Sequence, residues 1–338
     1  MENSQFGIGV TNAVKGVATL LLLLHHLFYC NPEYGTGLHL AAIEGKVCVS
    51  LFVLLSGYGL AASYRPQSVW HWYRSRFAKL YLNYWFIMLI FVPISWLVFG
   101  NTVYTVFPGC GERAWLKLIS QIFGTQMYYG GWGFNPTWWF MSAILVLYAL
   151  FPLFHRVAEA SCVNKWMRYL VLMGIAAAWA SRGPSPCFQP YVPAFVVGVL
   201  AARERWFSAF FSVGARRMTL LWVGVAAAAG VYIILWPQYS TLRYLLLSLI
   251  ACVLVCRLYV RNVWVLTKPL EYLGRYSMTI FLTHSFIYYI FFRDFFYSLG
   301  NPWLMYGLLL SFSLLLAVAL EFLMKLTRWN KLITLARG

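Results

Sequence analysis

Two histidines lie inside an apolar segment near the start of the chain. Residues 15–26 read KGVATLLLLLHH, so Lys15 opens the segment and His25 and His26 close it. On a helix, Lys15 and His26 share one face and lie about 16 Å apart along the axis. Ionisable residues in a spanning helix are costly and mark functional sites by default. His26 is therefore a candidate general base; the alternative is that one histidine makes a structural hydrogen bond between helices.

The composition is that of an integral membrane protein. Of the 338 residues, 62% are hydrophobic and 10% are charged, and the mean hydropathy is +0.69. The net charge is +17, but the cations fall between apolar segments, which favours a topological signal over nucleic-acid binding. We expect a single domain over residues 1–338, in contact with membrane lipids and with no nucleic-acid partner.

Apolar segments of about 20 residues predict an all-α polytopic fold with about ten transmembrane helices. The predicted spans are residues 10–30, 46–63, 80–99, 137–154, 168–182, 190–202, 218–236, 241–259, 276–292 and 302–325. Placing both termini in the cytoplasm puts most of the 26 Lys and Arg residues on the cytoplasmic side, as the positive-inside rule requires. The first span has no small-x-small cleavage pattern, so we expect it to remain as an anchor.

The longest outer connection, residues 100–136, contains an amphipathic segment. Apolar residues recur in it at helical spacing, at Trp115, Leu118, Ile119, Ile122 and Phe123. This spacing predicts a helix that lies on the membrane surface or over a cavity. The following residues, 124–139, are dense in Gly, Tyr and Trp, which suits either sugar binding or an interfacial aromatic belt.

A basic and aromatic segment, residues 65–81, follows the second predicted span. Its cations are Arg65, Arg74, Arg76 and Lys79, and the interleaved rings are Trp70, Trp72, Tyr73 and Tyr81. Cations bind phosphates and rings stack on bases, so the segment is a candidate site for a nucleotide-bearing donor. Contact with anionic lipid is the alternative.

The seven cysteines show no CxxC or zinc-like spacing, and we predict no metal site. In the predicted topology Cys30, Cys110 and Cys187 lie on the outer side, where two of them could form a disulfide.

Six segments spread over nearly the whole chain form one ordered pattern. They are the Lys15–His26 spacing, VSLFVLLSGYGL (49–60), WYRSRFAKLYLNYW (72–85), WWFMSAILVLYALFP (138–152), AFVVGVLAAR (194–203) and LGRYSMTIFLTHSF (273–286). Together they resemble the acyltransferase 3 family of integral membrane acyltransferases, whose fold is a ten-helix bundle.

The resemblance implies transfer of an acyl group, often acetyl, from cytoplasmic acyl-CoA to a hydroxyl of an extracytoplasmic glycan or lipid-linked sugar. A bacterial-type inner membrane is the implied location. The residues assigned to catalysis are His26, Lys15 and His284. Those assigned to acyl-CoA binding are Arg74, Arg76, Lys79, Tyr81 and Ser56.

This chain departs from the family pattern at several positions, including the SAILVLY sequence (142–148), which lacks a Glu that some relatives have. Lys15 stands where Arg is usual, Lys79 replaces the second Arg of the RxxR pair, and Ser50 occupies a position that is acidic in some members. Lys lacks the bidentate fork that Arg offers a phosphate.

Several alternatives stay open at this stage. Backbone amides, Ser56 or His284 could stabilise the thioester oxygen, and transfer could be direct or through an acyl-histidine. A transporter or flippase for a lipid-linked or anionic solute is the second hypothesis, since ionisable residues lie in predicted spans. A non-catalytic membrane sensor is the third.

Overall fold

The computed structural model describes residues 6–64, 68–129, 133–161, 164–182, 188–208 and 240–337, with isolated positions between 217 and 231. Regular structure in these ranges is helical. Arg65, Cys187 and most of the span predicted at 218–236 lie outside the described residues.

The α-helices of the described ranges are numbered here in chain order. They are α1 (Ile8–Phe28), α2 (Thr36–Glu44), α3 (Val47–Ser63), α4 (Val69–Leu97), α5 (Val103–Val106), α6 (Arg113–Ile122), α7 (Gln126–Tyr129), α8 (Trp139–Glu159), α9 (Lys165–Arg182), α10 (Val192–Arg203), α11 (Ser240–Val260), α12 (Trp264–Arg275), α13 (Ser277–Ser285), α14 (Arg293–Ser298), α15 (Pro302–Leu326) and α16 (Trp329–Arg337). A π-helical segment, Phe286–Phe291, continues α13.

Six helical segments of the described ranges are long and apolar enough to cross a bilayer. They are Ile8–Phe28, Thr36–Ser63, Val69–Leu97, Pro136–Glu159, Thr241–Val260 and Pro302–Leu326. Each lies on a predicted span, which confirms the all-α polytopic class. The spans predicted at 168–182, 190–202 and 276–292 fall on helices that are shorter or less apolar. The count of ten and the orientation stay predictions.

Several helices are not predicted as separate elements, among them α2, α12 and α16. The sequence of α12 is WVLTKPLEYLGR and that of α16 is WNKLITLAR. Both mix charged and apolar residues, so neither contains the long apolar run by which spans are recognised. Both are amphipathic, with charged residues on one side and apolar residues on the other.

The chain divides into two compact units. The first comprises Met1–Tyr64 and Leu150–Ser277, and the second comprises Arg65–Ala149 and Met278–Gly338. Because each unit is drawn from two separate parts of the sequence, contacts between residues far apart in the chain hold each unit together.

In the first unit, glycines allow α1 and α12 to cross in backbone contact. A methyl group on Gly274 would lie 1.8 Å from the Asn12 carbonyl oxygen, and one on Gly16 would lie 2.2 Å from the Leu270 carbonyl oxygen. No side chain fits at such distances. Small residues at helix crossings are typical of membrane proteins, where close packing rather than exclusion of water drives helix association.

A second crossing of the same kind joins α3 and α10. A methyl group on Gly57 would lie 2.2 Å from the Phe195 carbonyl oxygen, and one on Gly198 would lie 2.1 Å from the Leu54 carbonyl oxygen. Gly57 belongs to the SGY sequence of α3 and Gly198 to AFVVG of α10. Two of the segments that carry the family resemblance therefore meet at one helix crossing.

In the second unit, α6 lies alongside the spanning helix α4. The rings of Trp115 and Trp96 are 6.2 Å apart at one end, and at the other Trp85 donates to the Ile122 carbonyl at 2.8 Å. Trp85 and Trp96 are about 16 Å apart on an ideal helix. The predicted amphipathic helix is present, and it packs along α4 over its length.

The apolar face of α6 is exposed, with Trp115, Leu116, Ile119 and Ile122 all accessible. Its buried side carries Ala114, Ser120 and Gln121 instead. This inversion is what a helix needs when lipid, not water, covers its outer surface.

Three side chains of α4 satisfy the carbonyls at the end of α6. Tyr81, Tyr84 and Trp85 donate to the carbonyls of Phe123, Gln121 and Ile122, each at 2.8 Å. The last carbonyls of a helix have no partner within it, and a bilayer has no water to supply one. These bonds allow the chain to leave helical structure beside α4.

Two of the three outer cysteines are described. Cys30 and Cys110 are both free thiols, so these two do not pair with each other.

We expect Gly57→Ala to destabilise the protein, because its methyl group meets the Phe195 carbonyl and pushes α3 away from α10. The loss should be about 1–3 kcal/mol, the usual cost of overpacking. Gly59→Ala is the matched control, since Gly59 lies in the same helix with nothing within 4 Å of the added carbon. Thermal unfolding of the purified variants in detergent measures the difference. Equal midpoints for the two variants would contradict the packing role.

Candidate active site

Lys15 and His26 lie on one continuous helix, α1, as the sequence predicts. Both side chains are half-buried. The Lys15 ammonium donates to Asn12 Oδ1 at 3.4 Å, one turn toward the N-terminus and away from His26. Lys15 therefore extends toward the end of the helix, as long cationic side chains do near a membrane surface.

The structure gives His25 and His26 different surroundings. His25 is 7% exposed, and its Nδ1 lies 2.7 Å from the Ala42 carbonyl oxygen. This nitrogen donates to that carbonyl, because a carbonyl can only accept. His25 thus joins α1 to α2, which is the structural role that the sequence left open for one histidine. His26, on the adjoining face, is half-buried.

Ser56 lies on α3 beside Gly57, which contacts the Phe195 backbone. Ser56 is half-buried, and the next residue but one, Tyr58, packs edge-on against Phe6 at 4.8 Å. Gly57 and Tyr58 of the SGY sequence therefore make packing contacts. Ser56, which precedes them, offers a small half-buried hydroxyl group. Lys15, His26 and Ser56 all belong to the first unit.

The predicted donor-binding cations belong to the second unit. Arg74 bonds to the end of α16, its Nε donating to the Ala336 carbonyl at 3.0 Å and its Nη2 to the Leu335 carbonyl at 3.5 Å. A cation at the C-terminus of a helix satisfies free carbonyls and interacts favourably with the helix dipole. Arg74 thus has a structural task that the sequence did not predict.

Arg76 and Lys79 lie one turn apart on α4, with Arg76 half-buried and Lys79 exposed. Arg337, from α16, lies near this part of α4, because its Nε is 3.3 Å from the hydroxyl of Ser75, the residue before Arg76. The RxxK pair therefore has a third cation nearby, contributed by another helix.

Tyr81, which the sequence assigns to donor binding, uses its hydroxyl to satisfy the Phe123 carbonyl. Its ring lies between Phe77 and Trp85, at 6.4 and 5.2 Å. These contacts give Tyr81 a packing role within the second unit.

His284 is fully buried in the second unit. Its Nδ1 lies 2.9 Å from the Ile280 carbonyl oxygen and 3.0 Å from that of Phe281. Nδ1 must donate to these carbonyls, so in the neutral ring Nε2 is the nitrogen with a lone pair. The π-helical segment begins two residues later, at Phe286, and such segments are frequent at functional sites.

The turn that carries His284 is held by the NPTWW sequence. Asn135 Nδ2 and Trp138 Nε1 both donate to the Leu282 carbonyl, at 3.1 and 2.9 Å. The Thr137 hydroxyl lies 3.3 Å from the Phe281 carbonyl oxygen. Asn135 and Trp138 are fully buried, and their hydrogen bonds to the Leu282 carbonyl give them a structural role in this turn.

Sequence reasoning missed one buried amide in this region. Gln126 is 3% exposed, and neither of its side-chain polar atoms has a partner among the described residues. Burying an unpaired amide costs free energy, roughly 1–3 kcal/mol by mutational data. No periodicity or motif marks Gln126, since its environment is created by the irregular path of the chain after α6.

The chain is similar to a known protein family and to a known acyltransferase. The family model described as an acyltransferase domain matches residues 11–322. Acyltransferase MdmB of Streptomyces mycarofaciens is 30% identical over 160 residues, which is 45% of this chain and 38% of that protein. The alignment thus spans well under half of that relative. No solved structure matches the chain. Because the family model covers nearly the whole sequence, the chain belongs to the acyltransferase 3 family.

Proposed function

We propose that the protein transfers an acyl group, in the simplest case acetyl, from cytoplasmic acyl-CoA to a hydroxyl of an extracytoplasmic glycan or lipid-linked sugar. The observation that carries the proposal is the place of His26, a half-buried histidine that follows Lys15 on one continuous helix long and apolar enough to cross a bilayer. His25 beside it is bonded to the Ala42 carbonyl and has the structural role. Family membership supports the reaction class. A bacterial-type inner membrane is the proposed location.

In this proposal His26 acts as the general base. Its neutral imidazole takes the proton of the acceptor hydroxyl while the oxygen attacks the thioester carbonyl. The tetrahedral intermediate then expels CoA as a thiolate, which recovers the proton from the imidazolium. The products are the ester, free CoA and neutral His26. An alcohol is a poor nucleophile near neutral pH, so the base is needed for the first step.

The carbonyl oxygen gains negative charge in this step and needs a hydrogen-bond donor. The half-buried Ser56 hydroxyl, in the same unit as His26, is a candidate, as are backbone amides. Lys15 lies about 16 Å from His26 along the helix, so its proposed role is to attract the anionic donor rather than to move a proton.

Acyl-CoA is the proposed donor, and Arg76 and Lys79 are the proposed phosphate ligands. Arg76 offers a planar fork and Lys79 a single ammonium group, so the two make unequal contacts with a phosphate. His284 is the second proposed catalytic histidine. Its Nδ1 bonds to carbonyls fix the tautomer that a base requires.

Gln126 is the proposed contact for the acceptor. An amide offers two N–H donors and a carbonyl acceptor, the groups that recognise sugar hydroxyls. Its burial in the segment between α6 and α8, without a partner among the described residues, supports binding of a polar group there.

We expect His26→Ala and His26→Gln to reduce acyl transfer by at least about 100-fold, the usual contribution of a general base. His25→Asn is the matched control, because the asparagine amide retains a donor for the Ala42 carbonyl. This variant should unfold at a lower temperature but keep most of the acyl-transfer turnover. Acylation is measured as the mass gain of one acyl group on the glycan, with acyl-CoA supplied to inverted vesicles. Full activity in His26→Ala would eliminate the proposed base.

We expect Gln126→Leu to leave the protein as stable or more stable, because leucine has a similar size and removes an unpaired amide. Turnover at low acceptor concentration should fall about tenfold, the equivalent of one lost hydrogen bond to a substrate.

Gln121→Leu provides the control for that prediction. Gln121 is also fully buried, but its Oε1 accepts from the Phe134 amide at 3.3 Å. Its replacement leaves a buried N–H unpaired and should destabilise the protein by about 1–3 kcal/mol. If both glutamine variants behave alike in thermal unfolding and in turnover, Gln126 has no special role.

A further inference from the structure

The last helix of the chain, α16, is fixed to α4 by contacts along its length. Trp329 Nε1 donates to the Leu82 carbonyl at 3.0 Å, and its ring lies 5.4 Å from that of Phe86. Ile333, one turn later, is buried. At the far end Arg74 binds the carbonyls of Leu335 and Ala336. These contacts make α16 an integral part of the folded second unit.

This docking places Arg337 over the basic part of α4. Its Nε lies 3.3 Å from Ser75 Oγ, and Ser75 stands between Arg74 and Arg76 in the sequence. The charge of Arg337 acts on both Arg76 and Lys79. Three cations from two helices that are far apart in the sequence thus meet at one place.

Like charges that lie near one another repel, and the repulsion is stronger where the solvent is partly excluded. A cluster of cations therefore works against the docking of α16, and an anion would relieve this. Among the described residues neither Lys79 nor Arg337 forms a salt bridge. A phosphate group carries up to two charges and several acceptor oxygens, and it would offset the repulsion by binding all three cations.

We infer that Arg337 is a further phosphate ligand of the donor site, joining Arg76 and Lys79 around the 3′-phosphate of acyl-CoA, and that Arg74 is a positioning residue that holds α16 in place. This inference rests on the proposed function. An exposed phosphate of a nucleotide is the expected ligand, and the phosphate of an anionic lipid offers the same chemistry from a second source.

The test uses the full-length protein in detergent, with binding of CoA and of dephospho-CoA measured by calorimetry. We expect Arg337→Gln to weaken CoA binding about tenfold, the effect of one charged hydrogen bond. Its effect on dephospho-CoA, which lacks the 3′-phosphate, should be smaller. Lys331→Gln is the matched control, since Lys331 is an exposed cation of the same helix, and it should bind CoA as the unaltered protein does.

Three results would overturn the inference. The first is CoA binding in Arg337→Gln equal to that of Lys331→Gln. The second is a loss of the same size for CoA and dephospho-CoA in Arg337→Gln. The third is a loss of binding to vesicles rich in phosphatidylglycerol with CoA binding unchanged, which would assign Arg337 to lipid.

The role of Arg74 is tested by a double-mutant cycle on CoA binding. If Arg74 acts through α16, Arg74→Gln combined with Arg337→Gln should bind CoA no more weakly than Arg74→Gln alone, and Arg74→Lys should restore part of the binding. Additive losses would make Arg74 an independent ligand and overturn its positioning role. Failure of the unaltered protein to bind CoA would count against the donor in the proposed function. Weakening by Arg76→Gln but not by Arg337→Gln would count against this inference alone.

Discussion

Backbone amides and carbonyls inside a bilayer have no water to bond with, and the structure depends on this constraint. It requires helices in the spanning segments, and it requires side-chain partners wherever a helix ends at membrane depth. The end of α6 meets that requirement through Tyr81, Tyr84 and Trp85, which reach its last carbonyls from α4. The chain can therefore leave α6 and begin the short helix α7, whose first residue, Gln126, is buried.

The same constraint explains why the aromatic residues of this protein are polar partners as well as packing groups. Trp138 is fully buried, but its indole nitrogen donates to the Leu282 carbonyl in the turn that carries His284. Phenylalanine at this position would fill the space and leave the carbonyl with one bond fewer. Tyrosine and tryptophan suit such positions because each combines a large apolar ring with one donor.

The cations of the two units have different partners. Salt bridges found within the first unit, such as that between Arg203 and Glu159, neutralise cations near helix ends. In the second unit Arg74 donates to helix carbonyls instead, and Arg337 lies beside Ser75, between Arg74 and Arg76 in the sequence. The proposed donor phosphate is the anion that would compensate these cations. In the predicted topology the positive-inside rule accounts for an excess of cytoplasmic cations, but not for the return of Arg337 to α4 on the nine-residue helix α16.

Much of this could be read from the sequence, because long apolar runs and charge between them follow directly from the cost of placing polar groups in lipid. The spans, the helical character of residues 113–122, the Lys15–His26 spacing and the family itself all come from local pattern. Amphipathic helices such as α12 and α16 were not predicted, because they have too few apolar residues to be distinguished from loops by sequence. Only the tertiary structure decided that His25 bonds to Ala42, that Gly57 meets the Phe195 backbone, and that Arg74 and Tyr81 hold neighbouring segments. Each of these roles depends on a partner distant in the sequence, and side-chain type alone does not specify which partner a folded chain brings within bonding distance.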